Sequence, residues 1–266
     1  MAAEPHRNVA GISLIRLGTL VACLFLAAGS RAAEVPIIAA ASDLQYALAE
    51  VSEAFTRATG HSVKLALGSS GNLTRQIMQG APFELFFSAD EGYVNELFRR
   101  GLTADAGALY AVGRLALFVP KGSAVRADAQ LRDLAASLAD GRLRKLAIAN
   151  PEHAPYGRAA RQALEKAGMW EKLQGRLARG ENVSQAAQFA ASGSAEAALI
   201  AYSLALSDRM AGRGIFVLVP QDWHQPLRQK TVLLKGAGAT ARAFYAFAQS
   251  LPARAVFERY GFSVPR

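Results

Sequence analysis

The sequence predicts an α/β protein with mixed, mostly parallel sheets flanked by helices. Three observations carry this reading. From Val35 onward, short apolar runs alternate with amphipathic segments. The joints where helices start are built from small polar residues. Hydrophobic residues make up 52% of the 266, enough for one large core or two smaller lobes. About 233 residues follow Ala33, which is long for one doubly wound sheet, so two lobes are expected.

The first segment stands apart from this pattern. Arg7 and Arg16 precede an apolar run over 17–28, followed by Gly29-Ser30-Arg31-Ala32-Ala33. These are the charged, apolar and small-residue regions of a secretory signal peptide over 1–33, and the run is short for a bilayer span. Cleavage after Ala32 or Ala33 predicts an exported protein. Leu20-Val21-Ala22-Cys23 also looks like a lipoprotein processing site. The apolar run continues past it through Leu24 to Ala28, so the signal peptide is preferred over anchoring at Cys23. Cleavage then removes the one cysteine and leaves no disulfide or thiolate chemistry.

The remaining elements follow in order. A buried strand is predicted over 35–40 and a helix over 43–59, where Leu44, Leu48, Val51, Phe55 and Ala58 recur at spacings of four and three before Gly60. Strand 63–67, helix 72–79 and strand 84–87 come next, then helix 91–100, stopped by Gly101. Strand 115–119 ends at Pro120. Helix 131–139, strand 146–149 and helix 157–167 follow, the last stopped by Gly168. Helix 183–192, strands 197–202, 215–219 and 231–234, and closing helices 239–250 and 253–260 complete the pattern.

Four joints draw attention: Ala41-Ser42-Asp43-Leu44, Gly68-Ser69-Ser70-Gly71-Asn72, Asn150-Pro151 with Ala154-Pro155-Tyr156-Gly157, and Glu181-Asn182-Val183-Ser184. A helix start is a ready anion site, because its first N–H groups lack intrahelical partners and the dipole end is positive. None of these joints carries Lys or Arg, which suggests a bare oxyanion held by neutral donors. Each also has a bland reading. Ser42 and Asp43 are favoured N-cap residues, and the Asp43 carboxylate would repel an anion unless it points away. Gly-Ser-Ser-Gly is a common loop, and Tyr156 alone reads as packing.

Other features exclude functions. Without residues 1–33 the chain carries 27 basic and 20 acidic residues, scattered along helices with no Lys/Arg block, so a solvated basic surface is preferred to nucleic-acid binding. His61, His153 and His224 lack metal-ligand spacing and read as surface or structural. Gly236-Ala237-Gly238 mimics a dinucleotide loop, but the acidic residue expected to end a second strand is Glu258, in a predicted helix. There is no Gly-x-Ser-x-Gly elbow and no Walker loop.

Taken together, the joints resemble those of the periplasmic molybdate-binding proteins of ABC importers. Ala-Ala-Ala-Ser ending at Ser42, Gly68-Ser69-Ser70-Gly71, Gly80-Ala81-Pro82 leading to Phe86-Phe87-Ser88-Ala89-Asp90, Asn150-Pro151 with Ala154-Pro155-Tyr156-Gly157, Glu181-Asn182-Val183 and the Arg-Tyr-Gly-Phe end at 259–262 occur in the family's order. The resemblance implies a type II periplasmic-binding-protein fold, with one lobe over 34–116 and 230–266, the other over 117–229, and an oxyanion in the cleft. It implies that Ser42 and Ser70 donate hydroxyl and N–H, that Asp43 donates its backbone N–H where some members have Asn, and that Tyr156 and Val183 donate from the second lobe. Some members use a Tyr near 202, but the ungapped match places Ala201 there. The implied protein is a monomer that catalyses nothing, needs no cofactor, binds no nucleic acid, and passes molybdate or tungstate to an inner-membrane ABC permease. The rivals are another cargo such as sulfate, a secreted hydrolase using Ser70 or Ser42, and a basic nucleic-acid binder.

Overall fold

The structure is a computed structural model that describes residues 1–3 and 35–265. The expected signal peptide and Cys23 lie outside the described residues. Among the described residues, no helix is long and apolar enough to cross a membrane.

Two five-stranded sheets organise residues 35–265. The first contains β1 (Ile37–Ala41), β2 (Lys64–Gly68), β3 (Phe83–Ser88), β4 (Ala108–Gly113) and β10 (Leu227–Leu233), in the order β2-β1-β3-β10-β4. The second contains β5 (Leu115–Pro120), β6 (Leu146–Ala149), β7 (Leu177–Gly180), β8 (Ala197–Ala201) and β9 (Gly214–Leu218), in the order β7-β6-β8-β5-β9. The chain leaves the first sheet between β4 and β5 and returns between β9 and β10. Each sheet is mixed, as expected. Parallel pairing joins β1 to β2 and β3, and β6 to β7 and β8. The expectation of mostly parallel strands does not extend to β4, β5, β9 and β10, whose pairings are antiparallel. In each sheet a single strand, β10 or β5, runs against the other four, and each is the first strand after a passage between the sheets, where no helical crossover returns the chain in the common direction.

Helices cover the sheets: α1 (Gln45–Thr59), α2 (Ser70–Met78), α3 (Glu91–Arg99), α4 (Arg132–Ala139), α5 (Pro155–Lys166), α6 (Val183–Ala191), α7 (Tyr202–Ala205), α8 (Ala239–Ala248) and α9 (Leu251–Arg259). The helix expected over 43–59 begins as a 3-10 turn, Ser42–Leu44, before α1 takes over. It buries Leu48, Val51 and Phe55, and Gly60 ends it in the left-handed region with φ 73°. Three elements were not visible in the pattern: β4, β7 and α7. Strand β7 is a four-residue segment, Leu-Ala-Arg-Gly, too short and too mixed to show alternation. Tyr202, expected to end a strand, instead opens α7.

The core of the first lobe is aromatic. Phe244 of α8 meets Phe55 of α1 edge-on at 5.2 Å and Phe87 of β3 at 6.3 Å, all three fully buried. This cluster clamps two helices onto one face of the sheet. The second lobe packs aliphatic strand residues such as Leu117, Ile148 and Leu199 against Ala160, Leu164 and Ala186 of its helices. Phe244→Ala is predicted to destabilise the protein by about 3–5 kcal/mol, because it empties a buried site contacted by two elements. Urea unfolding followed by circular dichroism measures this, and a loss below 1 kcal/mol would mean that the cluster is not what holds α8.

Candidate functional site, an interlobe cavity

The parallel strands of both sheets point their carboxyl ends at one place. There β1 runs into Ser42, β2 into Ser69 and Ser70, β3 into Ala89, β6 into the loop before Tyr156, and β7 into the loop before Val183. A narrow cavity of about 10 Å³ lies among them, lined by Ala41, Ser42, Asp43, Gly68, Ser69, Ser70, Ala89, Ala154, Pro155, Tyr156 and Val183. All five residues expected to face a ligand (Ser42, Asp43, Ser70, Tyr156 and Val183) line this one cavity. No Lys or Arg is among the lining residues.

Local sequence explains each position. Ser70 and Val183 are the first residues of α2 and α6, and Tyr156 is the second of α5, so their N–H groups precede the helical bonding pattern. Asn182 caps α6 by accepting from the Gln185 N–H at 3.1 Å. Pro155 opens α5, where its missing N–H costs nothing. Gly157 lets the start of α5 press on the end of β6, since a Cβ there would collide with the Ala149 carbonyl. Gly113 likewise leaves room for the Tyr156 hydroxyl. The Ser70 hydroxyl accepts from the Ala89 N–H at 3.0 Å, and the Ser42 hydroxyl accepts from the Ser184 N–H across the lobes at 3.3 Å. Both hydroxyls keep their own hydrogen to donate.

Asp43 is fully buried, and its carboxylate turns toward β10. Gln229 donates to its Oδ2 at 2.6 Å and to the Tyr156 hydroxyl at 3.3 Å, while the Tyr110 hydroxyl donates to Gln229 Oε1 at 2.6 Å. Oδ1 is buried without a hydrogen-bond partner. Burial raises the Asp43 carboxyl from 3.8 to about 6, opposed by Gln229, by the nearby Tyr156 phenol, and by the N–H groups of Asp43 and Leu44. Burial, and then the Asp43 charge, push the phenols of Tyr110 and Tyr156 well above their ordinary value, so both stay protonated. Sequence reasoning missed Gln229 and Tyr110. Tyr110 lies in β4, which the pattern did not show, and Gln229 precedes the strand expected over 231–234, so only a buried amide on a returning strand would have been a signal.

Other contacts tie the lobes around the cavity. His153, read from sequence as surface or structural, is buried, with Nδ1 2.8 Å from the Ser69 hydroxyl and Nε2 3.5 Å from Glu181. Its carbonyl accepts from the Gly71 N–H at 2.9 Å. Arg158 of α5 pairs with Asp90 and donates to the Tyr93 hydroxyl at 2.8 Å. Ser203 donates to the Asp43 carbonyl at 2.7 Å. Tyr202 does not line the cavity. Its ring packs on Phe216 at 5.6 Å and against Gly261. A larger concavity of about 740 Å³ lies at the far end of the second sheet, but two of its cations are already paired, Arg144 with Glu196 and Arg142 with Asp140. Among the described residues no cluster of His, Cys, Asp or Glu could hold a metal ion.

A model of bacterial extracellular solute-binding proteins matches residues 37–263. The chain belongs to that family. Two molybdate-binding proteins named ModA are similar to it over nearly their whole length. That of Rhodobacter capsulatus is 35% identical over 252 residues, covering 93% of this chain and 96% of the relative. That of Azotobacter vinelandii is 35% identical over 255 residues, covering 95% and 98%. The solved structure of the Azotobacter vinelandii periplasmic molybdate-binding protein superposes with a TM-score of 0.79 at 30% identity, over 87% of this chain and all of that one. The fold is therefore the two-lobed one of the periplasmic binding proteins.

The buried carboxyl predicts a pH signature. A raised native value favours folding fully below pH 3.8, and this contribution is lost as pH rises through about 6. The shift corresponds to about 3 kcal/mol. We predict that the stability difference between wild type and Asp43→Asn changes by about that amount between pH 4 and pH 7.5, with the variant gaining. Urea unfolding across this range measures it, and parallel pH curves would show that Asp43 titrates normally.

Proposed function

We propose that this protein captures molybdate or tungstate in the interlobe cavity and delivers it to an inner-membrane ABC permease. The observation that carries the reading is the cavity wall. Five residues from strand–helix joints of both lobes line one cavity, with no cationic side chain among its lining. The names of the similar proteins supply the cargo, since both ModA relatives are molybdate-binding proteins. In this reading Ser42 and Ser70 donate hydroxyl and N–H, and Asp43, Tyr156 and Val183 donate backbone N–H. A fully oxygenated metal anion is an acceptor on every side, and a wall of donors suits it. Protonated phosphate would need an acceptor in return.

Delivery follows from two lobes. The cavity has room for about one water-sized sphere, so an oxyanion is admitted as the lobes separate and is enclosed as they close. The closed surface is what a permease would recognise. Export through the predicted signal peptide would place the protein in the periplasm, in keeping with its extracellular solute-binding family.

The protein is a binding protein and not an enzyme, as its family and relatives are. One arrangement invites the hydrolase reading: Ser69, His153 and Glu181 stand in the order nucleophile, base, orienting acid. Ser69 is buried at the N-cap of α2 on one lobe, while His153 and Glu181 both belong to the other, so the Ser69–His153 contact serves as an interlobe tie.

Calorimetric titration of ligand-stripped protein with molybdate and, separately, with sulfate tests the proposal. Tight one-to-one molybdate binding with weak sulfate binding is expected. Tight sulfate binding would change the cargo, and no heat from either anion would sink the reading. Ser70→Ala is predicted to weaken molybdate binding by about 1.5–3 kcal/mol, the worth of a hydrogen bond to a charged group. It should also cost some stability, because the Ala89 N–H loses its acceptor. Tyr202→Phe should leave molybdate affinity within about twofold, as its ring lies on Phe216 outside the cavity. A tenfold loss would bring Tyr202 into the site.

A further inference from the structure

Asp43 is the one part of the cavity wall that opposes an anion. The groups turned toward its carboxylate come from three elements: Tyr110 from β4, Tyr156 from α5 and Gln229 from β10. From α7, Ser203 engages its carbonyl, and at the start of α6, Ser184 bonds the neighbouring Ser42. The only titratable groups among these are the two phenols, which stay protonated. No Lys, Arg or His among the described residues contributes to its charge balance.

A dianion held by Ser42, Ser70 and Tyr156 therefore meets a second negative charge in a buried site, with no cation between them. Two like charges so placed do not both persist when one can take a proton. Hydrogen molybdate and hydrogen sulfate are both stronger acids than the Asp43 carboxyl, which burial lifts to about 6, so the proton goes to the carboxylate. Oδ2 is engaged by Gln229 and Oδ1 has no partner, which marks Oδ1 as the atom that receives it.

We propose, resting on the oxyanion reading above, that capture of the dianion is coupled to uptake of one proton from solvent onto Asp43 Oδ1, so that Asp43 sets the pH dependence of binding. The step converts a carboxylate and a solvent proton into a carboxylic acid, and no bond of the oxyanion changes. Burial already lifts the group to about 6, so at neutral pH the protein without anion is largely ionised there and must gain the proton on binding.

The test is calorimetric titration with sodium molybdate between pH 5.5 and 8, in two buffers of different protonation enthalpy. Wild type is expected to take up close to one proton per anion at pH 7–8. Its affinity should fall about tenfold per pH unit above pH 6 and level off below it. Asp43→Asn, with folding checked by circular dichroism, is expected to take up none and to bind with an affinity independent of pH over this range. Binding by wild type without proton uptake, at constant affinity, would overturn this inference and leave the oxyanion reading standing. An Asp43→Asn protein that keeps the wild-type slope would overturn it equally. If the variant fails to fold, the buffer dependence of wild type alone decides. Failure of molybdate, tungstate and sulfate to bind wild type at any pH would remove the oxyanion reading and this inference together.

Discussion

The structure depends on helix starts from two sheets meeting at one cavity. Parallel strands β1, β2 and β3 in one lobe, and β6 and β7 in the other, all end on its wall. Each helix start brings N–H groups that its own helix cannot satisfy, together with the positive end of its dipole. Much of the surrounding sequence serves that convergence. Gly157 lets α5 come close to β6, Pro155 opens α5 without a wasted donor, and Asn182 caps α6 so that Val183 is its first residue.

For the oxyanion proposed above, neutral donors suit the cavity better than cations would. A Lys or Arg in the wall would attract any anion, including those that carry a proton, and would bring its own desolvation penalty. Backbone N–H groups and hydroxyls are fixed in direction by the fold, so they discriminate by geometry and by the absence of acceptors. Asp43 adds a condition to that logic. Its carboxylate sits behind the wall and is held by Gln229, which is itself held by Tyr110, so the network reaches from the cavity into the first lobe's core.

The same cavity is where the lobes are tied. His153 to Ser69 and Gly71, Arg158 to Asp90 and Tyr93, and Ser184 to Ser42 are all polar contacts across the cleft. Polar ties between lobes exchange with water at modest net cost, unlike a large apolar interface. The aromatic core around Phe244 belongs to the first lobe, whereas the apolar core of the second lobe reaches the cleft, where Ala154, Tyr156 and Val183 join one cluster with Ala41 and Ala89 of the first.

The sequence by itself determined the α/β class, most helix and strand positions, and five of the eleven residues that line the cavity. These are local matters. Strand runs, helix stops such as Gly60, and capping residues at the joints are written in consecutive residues, and the family pattern at the joints places Ser42, Asp43, Ser70, Tyr156 and Val183. The tertiary structure alone decided the rest. Strand β10 runs antiparallel between β3 and β4 because the chain returns from the second lobe without a helical crossover, and periodicity carries no information on direction. That return places Gln229 186 residues along the chain from Asp43 and within 2.6 Å of its carboxylate. It also turns Asp43 from an apparent N-cap into a buried group whose Oδ1 has no partner. Tyr202 shows the same limit, since its ring faces Phe216 only because α7 begins where a strand was expected to end. Burial and partnership across distant segments set the charge and direction of a side chain, and both exist only once the chain has folded.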